Sequence, residues 1–225
     1  MDFQTANRYL YRGYLYSLIL SIIAVVLIVA LVVEIASSAS GPDGPGRSDQ
    51  FLSGLISILA AGIALSAVYL VIVFRYLFRG YMGLHGHGVK WAWWQAWGEA
   101  VLTMLGIALL AISLAMIHSA ASIPPRFAGP PPELTAWFIG ILGFLVVMGV
   151  FGLFIAITHI LFLDDMYRRT SIPKFHTAFI LYIVALVLSF VPYVNIIGAV
   201  LFLVEYIVEM LAYKEASAWT PPSSQ

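Results

Sequence analysis

GYLYSLILSIIAVVLIVALVVEIAS, residues 13–37, carries a single charged residue, Glu34. At 1.5 Å of rise per residue, such a run makes a helix of roughly 37 Å, enough to cross the ~30 Å hydrocarbon core of a bilayer. It has no polar stripe that could face water, so it reads as a membrane-spanning helix rather than an amphipathic one. Further apolar runs follow at 51–78, 96–120, 134–163, 175–191 and 195–213. Charges fall almost entirely between them.

Composition agrees. Hydrophobic residues make up 62% and charged residues 10% of the 225, where soluble domains hold about 25% charged. Such a chain cannot cover a water-facing surface. Net charge is zero, so no basic footprint points to nucleic acid. Cysteine is absent, which excludes disulfides, thiolate metal sites, iron–sulfur clusters and a cysteine nucleophile. No cofactor is expected. The N-terminal run is preceded by Asp2 and several tyrosines and is too long for the core of a signal peptide.

The stretch 175–204 is uncharged and too long for one ordinary span. Pro192-Tyr193-Val194-Asn195 interrupts it with turn-forming residues. It is read as a tight hairpin of two short helices. The competing topology has five spans, with the last segment lying on the far surface. In the six-span arrangement one side holds Arg8, Arg12, Arg75, Arg79, Lys90, Arg168, Arg169, Lys174 and Lys214, while the other holds Arg47 and Arg126. By the positive-inside rule the first side is cytoplasmic. Tyr9, Tyr14, Trp91, Trp93, Trp94 and Trp97 form an aromatic belt there, with Trp137 and Tyr193 near the opposite surface. The expected fold is therefore all-α: a polytopic integral membrane protein with six transmembrane helices arranged as three helical hairpins. One transmembrane domain fills residues 1–225, in the cell membrane, with both termini cytoplasmic.

A few residues break the apolar pattern. Glu205 and Glu209 are spaced i, i+4 and share one face of the last helix. Carboxylates inside a membrane are costly and are usually paired or functional. Counted from the inner ends of their helices, Glu99, His159, Glu205 and Glu209 fall at similar depth. They are the candidates for a proton or cation path. His159 with one or two glutamates is also a hard-ligand set suited to zinc or manganese. Paired histidines at one depth would be needed for haem. The structural alternative is that Glu209 reaches the interface while Glu205 is neutral or bonded to a tyrosine or serine. In His85-Gly86-His87-Gly88, alternate histidines could chelate a metal, but an interfacial turn explains them. The metal expectation is accordingly none, with His85, His87 and His159 as the fallback ligands. Asp164-Asp165 and Arg168-Arg169 form two i, i+4 pairs if the fourth helix continues past the membrane. Arg168 and Arg169 are also candidates for binding a lipid headgroup. His118 stands alone near the outer end of the third span.

Small residues recur along the second, third and fourth spans, with Gly140, Gly143, Gly149 and Gly152 on the fourth. They allow close packing, within the chain or in a homo-oligomer. No zinc-protease HExxH, nucleophile elbow, P-loop or dinucleotide fingerprint occurs. The expectation is a non-enzyme, with a lipid-acting enzyme as a third possibility.

The C-terminal hairpin, Val191-Pro192-Tyr193 through Ile197-Gly198 to Ala212-Tyr213-Lys214, resembles a terminal hairpin of archaeal multi-spanning membrane proteins of unknown function. The resemblance covers about a fifth of the chain and implies a multi-pass membrane fold. It carries over no catalytic or binding residue. Two functional expectations follow. The first is transport or conduction of a small solute or ion through a carboxylate-containing bundle. The second is a structural or scaffold subunit of a larger membrane complex. The expected partners are the lipid bilayer and a homo-oligomer or membrane-complex partner, with no nucleic acid.

Overall fold

The computed structural model describes residues 1–39, 47–121 and 132–220. The two Gly/Pro-rich loops, with Arg126, lie outside the described residues, as do the side chains of Arg47, His118 and Trp137. The described chain is helical, with no strand. Helix α1 is Phe3–Ala39, capped by Asp2, whose Oδ1 accepts the Thr5 N–H. Helix α2, Arg47–Ile72, runs through a π-helical turn, Val73–Leu77, into α3, Phe78–Gly86, without a break. Helices α4, Ala92–Ala121, α5, Pro132–Thr170, α6, Pro173–Ser189, and α7, Asn195–Ala216, complete the chain.

Five helical stretches are long and apolar enough to cross a membrane. The exception, α6, has 17 residues, or about 25 Å, a little under the ~30 Å core. Pro192 and its neighbours form the expected turn, with Tyr193 in the left-handed region at φ 67°. A Cβ at Gly198 would meet the Ala185 carbonyl oxygen and the Ser189 nitrogen at 3.0 Å, so α7 sits directly against the α6 backbone. The turn needs no glycine; the close helix approach does.

Residues 79–86, expected as a connection, are instead helix α3. The π turn accommodates one extra residue: the Phe78 N–H bonds back five positions to the Val73 carbonyl. Beyond it, Gly80 faces Leu10 and the Ala6 carbonyl oxygen of α1. Of the tryptophan cluster, Trp91 lies in the turn before α4, and Trp93, Trp94 and Trp97 lie exposed in its first turns.

The chain divides into two compact units. One comprises Leu18–Val71 and Val101–Phe151. In it Gly54 accommodates Ile35, and Gly62 lies against Leu110. The other comprises Met1–Ser17, Ile72–Ala100 and Gly152–Gln225. Its core is aromatic: Tyr81 packs edge-on against Phe162, and Tyr213 against Phe175. In this unit the two ends of the chain meet, with Gln4 Nε2 donating to the Trp219 carbonyl at 2.9 Å. Helix α6 runs beside the C-terminal part of α5, where Tyr167 contacts His176 and His159 contacts Tyr182.

Polarity is inverted relative to a water-soluble protein. Val200 is 56% exposed, and Val146 and Val150 more so, while Glu209 is 1% exposed. Apolar side chains outside and carboxylates inside are what hydrocarbon selects. The chain is an integral membrane protein of the helical, multi-pass class.

Candidate functional site

Helix α7 buries Gly198, Glu205, Glu209, Ala212, Tyr213 and Ala216, a stripe at helical spacing. Small residues and glutamates face inward, while Ile196, Val200, Leu203 and Ile207 face outward. The two carboxylates are thereby carried against α5, where His159 is buried. His159 Nε2 lies 3.7 Å from Glu205 Oε1 and 3.5 Å from Glu209 Oε2. These three residues are the one group of three or more histidines and acids among the described residues whose ligating atoms converge, all within 4.8 Å of one another. They line a cavity of about 240 Å³, walled on other sides by Tyr14, Tyr182 and Tyr206. Glu99 lines the same cavity.

Hydrogen bonds fix how the imidazole is presented. The Thr158 hydroxyl donates to the Ile155 carbonyl at 2.9 Å, so its oxygen is left to accept. It accepts from Gln95 Nε2 at 2.8 Å, and the same amide reaches the Ile155 carbonyl at 3.3 Å. The Gln95 amide orientation follows: its carbonyl Oε1 must point the other way, to His159 Nδ1, 3.1 Å off. A carbonyl can only accept, so Nδ1 carries the hydrogen and donates. In the neutral imidazole Nε2 is then a bare lone pair, aimed at two carboxylates.

Glu209 is held from behind. The Tyr213 hydroxyl donates to its Oε1 at 2.6 Å, leaving Oε2 for the His159 side. Glu205 Oε1 is buried and has no hydrogen-bond partner among the described residues. Three buried acceptors therefore face one another across the cavity. Such an arrangement repels itself unless a positive charge lies among them, and a proton on Nε2 or a bound cation meets that need.

The remaining candidates are placed as follows. His87 is exposed and donates from Nε2 to the Met1 carbonyl at 2.9 Å; His85 is exposed near the end of α3. Neither belongs to the converging group. Arg168 and Asp164 pair at 2.8 Å, and Arg169 and Asp165 at 2.8 Å, because α5 does continue to Thr170. Arg169 also ties α5 to the turn after α3, donating to the Gly88 carbonyl at 2.6 Å. Arg168 keeps a 74% exposed side chain.

Sequence reasoning passed over Gln95, Thr158 and Tyr213. Gln95 was hidden among tryptophans. Two signals were available: Tyr213 follows Glu209 by four residues, and Gln95 precedes Glu99 by four. The chain matches no protein-family model, no curated protein and no solved structure.

Proposed function

We propose that the protein handles a small cation, proton included, by transport or conduction at the His159, Glu205 and Glu209 centre of a membrane helix bundle. One observation carries this reading: three buried hydrogen-bond acceptors converge on one cavity, and one of them, Glu205 Oε1, has no hydrogen-bond partner among the described residues. A purely structural helix gains nothing from that arrangement, since two buried carboxylates cost several kcal/mol unless compensated. The basic residues around both chain ends support a cytoplasmic orientation for the termini.

The test is flux into proteoliposomes holding the full chain, driven by a proton or cation gradient. Wild-type protein is expected to dissipate the gradient and Glu205→Gln to abolish the flux while keeping its helical circular dichroism and monodisperse elution. Equal flux in both would sink the proposal.

A second reading, a structural subunit of a larger membrane complex, is favoured by a different observation. A Cβ built on Gly140, Gly143, Gly149 or Gly152 of α5 meets nothing within 4 Å among the described residues. Glycines that pack no described neighbour leave room for another helix.

A further inference from the structure

The structure assigns the His159, Glu205 and Glu209 cluster as a binding site for one divalent transition-metal ion of the zinc class. This deepens the cation reading above and rests on the same site, but it names the ion. Three arguments carry it. The first is charge: a neutral imidazole and the two converging carboxylates sum to minus two, matching a single divalent cation; Glu99 lines the same cavity but is not in the converging group. The second is distance. Zinc bonds of about 2.0–2.2 Å to nitrogen and oxygen in a tetrahedron place neighbouring ligand atoms roughly 3.3–3.6 Å apart. The observed separations from Nε2 are 3.5 and 3.7 Å, and all three ligand atoms lie within 4.8 Å of one another, so side-chain shifts of about 1 Å or less close the shell. An imidazole ligand also argues against magnesium and calcium, which take oxygen ligands. The third is the surrounding hydrogen bonding. A ligating histidine needs its other nitrogen held by an acceptor, and a ligating carboxylate needs its second oxygen held by a donor. Gln95 does the first and Tyr213 the second. Three protein ligands leave the fourth position to the cavity, as in zinc sites that exchange a water or a substrate. Gln95 and Tyr213 are positioning residues: they touch ligands, not the ion.

The experiment is metal binding to the purified full-length protein in detergent, with zinc chloride and cobalt(II) chloride as probes. Zinc is followed by calorimetry and elemental analysis, cobalt by its visible absorption. The expected result is one ion per chain with intense tetrahedral cobalt bands. Glu205→Gln and His159→Gln are expected to weaken zinc binding by about a hundredfold or more. Gln95→Leu should weaken it about 10–100-fold, the range for loss of an outer-shell partner. Gln95→Glu, which keeps an acceptor for Nδ1, should restore both affinity and the cobalt spectrum, a rescue that mere packing would not give. The double variant with His85→Ala and His87→Ala removes the two surface histidines and should bind as wild type.

Binding lost in that double variant, or unchanged in Glu205→Gln and His159→Gln, overturns the assignment. So does stoichiometric cobalt with a weak octahedral spectrum. Absence of zinc binding alongside proton or monovalent flux sensitive to Glu205→Gln would overturn the metal while leaving the cation reading intact. Tetrahedral binding without any flux would leave the site and overturn transport.

Discussion

Tyr213 lies one turn beyond Glu209 on α7 and gives a buried carboxylate a donor at 2.6 Å. Its ring also contacts Tyr14 and Phe175, so Tyr213→Phe removes the hydroxyl and keeps the packing. A hydrogen bond to a buried charged acceptor is worth about 1.5–3 kcal/mol. Tyr213→Phe should lower the thermal midpoint in detergent accordingly, and an unchanged midpoint would mean that Glu209 does not depend on this bond. The glutamates themselves were legible in the sequence, because a carboxylate in an apolar run stands out and i, i+4 spacing fixes their shared face. His159 was legible by depth alone. Gln95 carried only its i, i+4 spacing to Glu99; its role lies in the pairing of α4 with α5, which brings it to Thr158, and no one-dimensional pattern encodes that pairing.

Among the helices, glycine has two separate uses. At Gly198 the neighbours of an added Cβ are all backbone: the Ala185 carbonyl oxygen, the Ser189 nitrogen and the Leu188 carbonyl carbon. Backbone cannot turn aside as a side chain can. Gly198→Val should cost about 1–3 kcal/mol by overpacking and, by levering α7 off α6, should also impair any property that depends on Glu205 and Glu209. Gly149→Leu should leave the stability within about 0.5 kcal/mol of wild type, since an added Cβ meets nothing among the described residues. If Gly149→Leu instead breaks up an oligomer seen by native mass spectrometry, the subunit reading gains. Helix lengths and the Pro192 turn were readable from hydropathy and turn chemistry. Helix α3 was not, because Arg79, Gly80 and Gly83 resemble a connection until Gly80 is seen to admit Leu10 and Gly83 to admit Ala6 of α1.

For the molecule as a whole, the inverted polarity gives the membrane class directly, and the sequence conveyed it through hydropathy alone. The Gln4 side chain meets the Trp219 carbonyl, and this contact supports the proposal that both ends are cytoplasmic. With basic residues around both, fluorescent-protein fusions to either terminus should be bright, and alkaline phosphatase fusions to either should be inactive. A bright fusion at one end with active phosphatase at the other would require an odd number of crossings. The number of full crossings was the least legible feature, since 17 residues lie at the edge of what a bilayer needs.

The π turn at Val73–Leu77 holds a consequence of a genetic kind. Each residue in a helix turns its successors by about 100°, so the extra residue sets the azimuth of everything that follows. It delivers Tyr81 to Tyr14, with their hydroxyls 2.9 Å apart. Losing one codon here would barely alter hydropathy, yet it would swing Tyr81 and Leu84 out of the core. In a library of variants Phe74 and Arg75 should tolerate more substitutions than buried Val73 and Leu77, while the stretch should reject single-residue deletions, and a distant homologue aligned by hydropathy alone would slip by one residue at this point.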